Sequence, residues 1–224
     1  MNLEALLLSL RLAAMVSAIL LVVSLPLAYW LAFASWRGKF LVESVVALPL
    51  VLPPTVLGFY ALIAMGPRGA LGRMWQFLFG HPLAFTFTGL VVASLVYSLP
   101  FAVQPLVASF EGLDRRLLDA SSILGASEAR GFFRIILPLA WPGVITALVL
   151  SFAHTLGEFG VVLMVGGNLP GITRTISIDI YDRVQALDYA SAHQTAMLLL
   201  VISFGVLSVV YGVNRRVWTP WARR

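Results

Sequence analysis

Between Leu12 and Ala34 the chain runs without a single charged residue, long enough as a helix to cross the roughly 30 Å hydrocarbon layer of a bilayer. A run of this kind leaves little choice of structure. With no water in that layer, every backbone N–H and C=O must be bonded internally, which helices achieve segment by segment. Four further apolar stretches, 41–65, 85–110, 139–165 and 192–213, repeat the pattern. They predict an all-α membrane protein, one transmembrane domain over residues 1–224 built as a polytopic bundle of about five spans. Composition agrees, with 60% hydrophobic and 11% charged residues and a mean hydropathy of +0.93, where a soluble domain is about half apolar and a quarter charged. Residues 3–10 read as an amphipathic entry to the first span. Ala32-Phe33-Ala34 looks like a signal cleavage site, but Glu4 and the length of the preceding apolar run predict an uncleaved span.

Proline punctuates these spans. Pro49, Pro53 and Pro54 preclude an unbroken second helix, and interrupted backbone at membrane depth survives only against protein or a watery cavity. Residues 49–58 are therefore assigned to the inner wall of a pathway. Pro100 and Pro105 break the third span. Two loops are placed outside: 66–84, with His81 as an ordinary loop residue, and 166–190. In the second, Ile176, Ile180, Tyr181, Val184 and Leu187 form the apolar side of a helix lying on the membrane surface. Charge sets the orientation. Arg37, Lys39, the basic residues of 115–134 and the C-terminal arginines fall on one side, which predicts an outside N-terminus and a cytoplasmic C-terminus. The net charge of +5 is no nucleic-acid signature, because the basic residues sit at span ends. Cysteine is absent, which removes disulfides and thiolate metal sites.

One polar island, 114–138, interrupts the hydrophobic pattern. Asp114 is a potential N-cap, Leu117, Leu118, Ala120, Ile123 and Leu124 share one side of a short helix, and Gly125 supplies a left-handed stop. A second start follows, with Ser127 as cap and Glu128 in the first turn, where the helix dipole favours an anion. The island resembles the cytoplasmic coupling segment of ABC importer permeases: Glu-Ala-Ala, a glycine six residues after the Glu, then Ile-x-Leu-Pro. Asp119-Ala120-Ser121, Gly125 and Ile135-Ile136-Leu137-Pro138 occupy those places, with Asp for Glu and Ser for the second Ala. The resemblance implies a MetI-like permease fold. It also implies that Arg115, Arg116, Leu117, Leu118, Asp119, Ala120, Ile123, Gly125, Leu137 and Pro138 couple the chain to an ATP-binding subunit.

The chain carries no ATPase site of its own. Its only lysine, Lys39, lies in Gly38-Lys39-Phe40, which lacks the serine or threonine and the leading glycine of a P-loop. Energy must come from a partner. His154 and Glu158 are the one close titratable pair deep in a span. They admit a proton relay, a metal pair short of ligands, an intramembrane enzyme, or the preferred structural reading, a mutual hydrogen bond with contacts to Thr155 that fixes the span near Gly157 and Gly160. Glu158 repels anions, so it is not expected to coordinate one.

The stretches LPLVLPPTVLGFYAL, SLPFAVQPLVASFEGLD and TLGEFGVVLMVGGNLPGITRTISIDIY resemble the molybdate permease group, with sulfate/thiosulfate and tungstate permeases as the nearest alternatives. One departure is His154, where relatives commonly carry Arg. The resemblance implies import of molybdate across the inner membrane by a homodimer, with two cytoplasmic ATP-binding subunits that use ATP and Mg, and an extracytoplasmic molybdate-binding protein. No cofactor is expected on this chain. A dianion that must also leave should meet weak, sequential donors: Thr55, Ser94, Ser98, backbone N–H groups near Pro53 and Pro54, and the glycines around Glu158. Gly58 closes the proline block.

Overall fold

The computed structural model describes residues 2–114, 116–123 and 125–218, with side chains described for all of these except 118–120, 122 and 213–218. Regular structure among the described residues is helical throughout. The first helix, α1 (Leu3–Phe33), begins on Asn2, whose side chain accepts the Ala5 N–H at 3.2 Å. Its 31 residues make one continuous helix, about 46 Å long at 1.5 Å per residue. The separate entry expected at 3–10 is simply its first turns, and Pro26 does not end it. A buried stripe through Leu12, Val16, Leu20, Ser24, Ala28 and Leu31 recurs every turn. α1 lies against α5 (Phe87–Glu111) and α9 (Trp141–Gly157).

α5 is the central element. Half of its apolar window is buried, against 11% for α12 (Tyr189–Trp218), which flanks the bundle. At one end α5 packs Leu106 and Phe110 against Leu31, Ile136 and Val144. There the ring of Phe110 stands edge-on to Tyr29 at 6.2 Å and near Phe132 at 6.3 Å. At the other end Leu90 joins Leu12, Val16, Val162 and Ile178.

Two helix pairs are sharply bent. α2 (Lys39–Val51) and α3 (Pro54–Met65) meet at 110°. The cause is local: Leu52 and Pro53 each precede a proline, which disfavours the helical region, and both are extended with ψ of 137°. Pro54 then starts α3 at its first position. The 13 and 12 residues of these helices reach only about 20 Å each, so neither crosses a bilayer alone. The second pair, Glu128–Leu139 with α9, bends by 73°. Among the described residues, three helices are long and apolar enough to cross a membrane, or up to five spans when each bent pair is one.

Polar contacts fasten each end of the bundle. At one, Lys39 Nζ bridges Glu43 at 3.2 Å and Glu111 at 3.4 Å, tying the turn after α1 to the end of α5. At the other, Asn2 Nδ2 donates to Asp179 at 3.0 Å, Ile176 N–H donates to Ser9 Oγ at 2.7 Å, and the Arg11 guanidinium lies 4.5 Å over the Phe87 ring. These contacts dock α11 (Ile176–Gln185) on the start of α1, and they take Ile176 out of the lipid-facing side expected for it. Ile176, Ile178 and Asp179 are buried, while Tyr181 and Val184 are exposed and Leu187 lies beyond the helix end. Ile178 enters the core beside Leu12. Asp179 tolerates burial because Asn2 and Arg183, at 2.7 Å, satisfy its carboxylate. The loop at 66–84 also holds a helix the sequence reading lacked, α4 (Ala70–Phe79).

Candidate functional site

The stretch read as one span over 139–165 is divided. α9 ends at Gly157; Glu158 (ψ 135°) and Phe159 (φ −128°, ψ −63°) leave the helical region, and α10 (Gly160–Gly166) begins beyond them. The break directs the Glu158 side chain at α5, where Ser94 and Ser98 stand one turn apart. Ser94 Oγ donates to Glu158 Oε2 at 2.5 Å, and Ser98 Oγ donates to Oε1 at 2.7 Å. Both serines are fully buried, and Glu158 is 4% exposed. A buried carboxylate without partners costs several kcal/mol; two hydroxyl donors to a charged acceptor offset much of it.

Ser98 also touches Thr155 Oγ1 and His154 Nδ1, each at 2.9 Å. This corrects the mutual hydrogen bond expected between His154 and Glu158. His154 Nδ1 and Glu158 Oε1 are 3.6 Å apart, and Ser98 bonds both. It also shows where the serines are: behind the wall, holding Glu158. The sequence cue was two serines at i and i+4 in an apolar helix, but nothing local links them to residue 158.

On the open side of Glu158 lies a cavity of about 600 Å³, lined by Pro54, Thr55, Tyr97, His154, Gly157 and Gly160 among others. The His154 ring is stacked on Phe101 at 3.8 Å and tilted against Tyr97 at 4.7 Å. Glycine sets the width of this wall. A Cβ on Gly160 would meet Pro54 Cβ at 2.8 Å, and one on Gly58 would meet Met164 Cβ at 2.8 Å, so α3 and α10 approach at backbone distance. Of the predicted pathway residues, Pro54, Thr55, His154, Gly157, Glu158 and Gly160 therefore share one cavity. Ser94, Ser98 and Gly58 are buried behind it, and exposed Pro53 is not among its lining residues. A second groove of about 390 Å³, between Ala14, Phe152 and Val206, is almost wholly apolar and offers an anion nothing.

The polar island folds as α6 (Arg116–Ile123), α7 (Glu128–Gly131), a π-helical turn Phe132–Ile136 and α8 (Leu137–Leu139). Asp114 Oδ1 accepts the Arg116 N–H at 3.0 Å. Gly125 is left-handed at φ +80°, and Ser127 Oγ caps α7 by accepting the Arg130 N–H at 3.4 Å. The π turn has a cause in Pro138, which lacks an N–H and crowds the preceding turn; the wider winding accommodates it. Leu117 is 44% and Ile123 86% exposed, Leu137 is half-buried, and Arg116 and Pro138 are exposed. Arg115 and Leu124 lie outside the described residues, as do the side chains of Leu118, Asp119 and Ala120.

A family model described as "Binding-protein-dependent transport system inner membrane component" matches residues 24–220. The chain is 53% identical over 214 residues to the molybdenum transport system permease protein ModB of Azotobacter vinelandii, covering 96% of this chain and 95% of that one. It is 42% identical over 186 residues to the protein of the same name from Escherichia coli K12, covering 81% and 80%. Among solved structures, a bacterial ABC transporter involved in import of the acidic polysaccharide alginate matches with a TM-score of 0.78 over 97% of this chain and 80% of that one. At 17% identity this is a likeness of fold alone.

Ser98→Ala strips one donor from the Glu158 carboxylate and the shared partner from Thr155 and His154. It is expected to cost about 2–3 kcal/mol. Ser151→Ala, equally buried but bonded only to carbonyls of its own helix, is expected to cost under about 1 kcal/mol. Thermal unfolding in detergent checks the order; equal losses refute the role given to Ser98.

Proposed function

The chain belongs to the family of binding-protein-dependent transport system inner membrane components, and from that premise we propose that it is the permease of an ABC importer carrying molybdate into the cytoplasm. The observation that carries this reading is the 53% identity, along 96% of the chain, to a molybdenum transport permease. It is a multi-pass inner-membrane protein and a transport subunit rather than an enzyme, and it works with an ATP-binding subunit and an extracytoplasmic binding protein.

The finer assembly is a homodimer in lipid, served by two ATP-binding subunits that hold the ATP and Mg, and by a molybdate-binding protein outside. This chain binds no cofactor and no nucleic acid. The N-terminus is outside and the C-terminus cytoplasmic. In support, Arg37, Lys39, Arg116, Arg130 and Arg134 belong to the end of the bundle marked by the Lys39–Glu111 bridge, as the positive-inside rule requires.

α6 docks in a cleft of the ATP-binding subunit. Leu117, Leu118 and Ile123 are its anchors, Arg115, Arg116 and Asp119 fix its register, and Ala120 keeps the helix slim. Leu137 and Pro138 carry the motion onward. Exposed apolar side chains on a capped helix outside the spans favour this role, Ile123 above all. ATP-driven closure brings two such helices together and rocks the spans between inward- and outward-facing states. The cavity beside Glu158 lies on the anion's path. Thr55 and the backbone around Pro53, Pro54, Gly157 and Gly160 give it weak donors that let it leave.

Sulfate/thiosulfate and tungstate remain the rival cargoes. In vesicles reconstituted with the complete importer, ATP-dependent uptake of radiolabelled molybdate is expected to persist under a tenfold excess of sulfate. Uptake abolished by that excess transfers the reading to sulfate. Gly125→Val forces a β-branched residue into a left-handed position where space is free but backbone is not. It is expected to lower uptake per ATP hydrolysed about tenfold, while Gly125→Asn retains most of it; equal behaviour of the two refutes a conformational cause. Because cysteine is absent, a single cysteine introduced at Ser127 reports topology cleanly. Labelling from the cytoplasmic side alone is expected, and labelling from outside overturns the orientation and the docking together.

A further inference from the structure

We propose that Glu158, Ser98 and His154 form a proton relay that sets whether the cavity wall presents a hydrogen-bond donor or an acceptor to an oxyanion. The inference rests on the transport reading above and adds a specificity device to it. A serine hydroxyl has one proton and two lone pairs. Ser98 gives its proton to Glu158 Oε1 at 2.7 Å, so its lone pairs accept from the Thr155 hydroxyl and from His154 Nδ1–H, each at 2.9 Å. A neutral imidazole with its hydrogen on Nδ1 carries a bare lone pair on Nε2. That nitrogen has no hydrogen-bond partner among the described residues and is not buried, and the ring is part of the cavity wall. In this state the wall shows an acceptor, with an ionised carboxylate 3.6 Å behind the ring. An oxyanion is repelled twice.

One added proton reverses both repulsions without moving a heavy atom. It enters from cavity water at Nε2, giving an imidazolium whose Nδ1–H still bonds Ser98 while Glu158 stays ionised. Equivalently, the protons shift along the chain. Nδ1–H passes its proton to Ser98, which passes its own to Glu158, leaving a carboxylic acid, a serine that donates to Nδ1, and an imidazole protonated at Nε2. Either form carries one more proton than before, brings the network from one negative charge to none, and turns Nε2–H toward the anion. When the anion leaves, the proton returns to water. The surroundings leave the relay to itself. Among the described residues, Tyr97 of α5 is the one other titratable group set against the ring. α3 and α10 contribute Thr55, Leu163 and Met164 to the cavity. α1, α11 and α12 make no ion pair with either residue among the described ones.

The test is the initial rate of molybdate uptake per ATP hydrolysed, from about pH 6 to about pH 9, in vesicles carrying the complete importer, with sulfate in a parallel arm. Normalising to hydrolysis removes the pH response of the ATP-binding subunits. Wild type is expected to lose about tenfold or more as pH rises, because the donor is lost on deprotonation. His154→Arg, whose guanidinium donates without titrating, is expected to flatten the profile. Glu158→Gln removes the charge that retains the proton and is expected to move the midpoint at least about one pH unit to the acid side. A flat wild-type profile, an unchanged profile in His154→Arg, or an unmoved midpoint in Glu158→Gln overturns the relay; the last stands even where the arginine variant fails to assemble. A wild-type importer that takes up neither molybdate nor sulfate overturns the transport reading itself.

Discussion

Two serine hydroxyls on one buried carboxylate hold the centre of this molecule in place. Glu158 sits where α9 stops and α10 begins, so its side chain is free to leave the helix line and reach α5. Without Ser94 and Ser98 the charge would be stranded in a low-dielectric interior, a cost of several kcal/mol. With them, the break in the backbone becomes affordable and the glycines on either side acquire a purpose. Gly160 lets α10 lie against Pro54, and Gly157 leaves its side of the cavity open.

That arrangement joins two breaks in the helical backbone. The bend at Leu52–Pro53 places Pro54 and Thr55 at the cavity, and the break at Glu158–Phe159 brings the opposite wall to meet them. Disturbed backbone at membrane depth is tolerated where it lines a cavity or packs on protein, and both breaks do so. From the same bundle, Phe132 leads out of the aromatic contact with Tyr29 and Phe110 into the π turn and back to α6. The segment that follows α6 is thus anchored to α1 and α5 through packed rings.

Much of this was legible in the chain itself. The first span showed in its uncharged run, the bend at Pro53 and Pro54 in the chemistry of consecutive prolines, and the stop at Gly125 and the start at Ser127 in their residue types. What escaped was non-local. Ser94 and Ser98 looked like pathway hydroxyls because the carboxylate they hold lies some sixty residues away, at a separation of 64 and 60. The docked face of α11 escaped as well, and Ile176 was matched to a lipid surface though it is buried. Ile178 and Asp179 instead answer to Leu12 and Asn2 at the far end of the sequence. The break at Glu158 carries no proline to announce it.

The contacts between Asn2 and Asp179, and between Ser9 and Ile176, span 177 and 167 positions of sequence. They impose an order on synthesis. The first helix then waits, its polar hooks unmatched, until the residues of α11 have been made. Only then does the circle close, so a nascent chain halted before Ile176 holds a bundle whose rim beside Asn2 is unfastened.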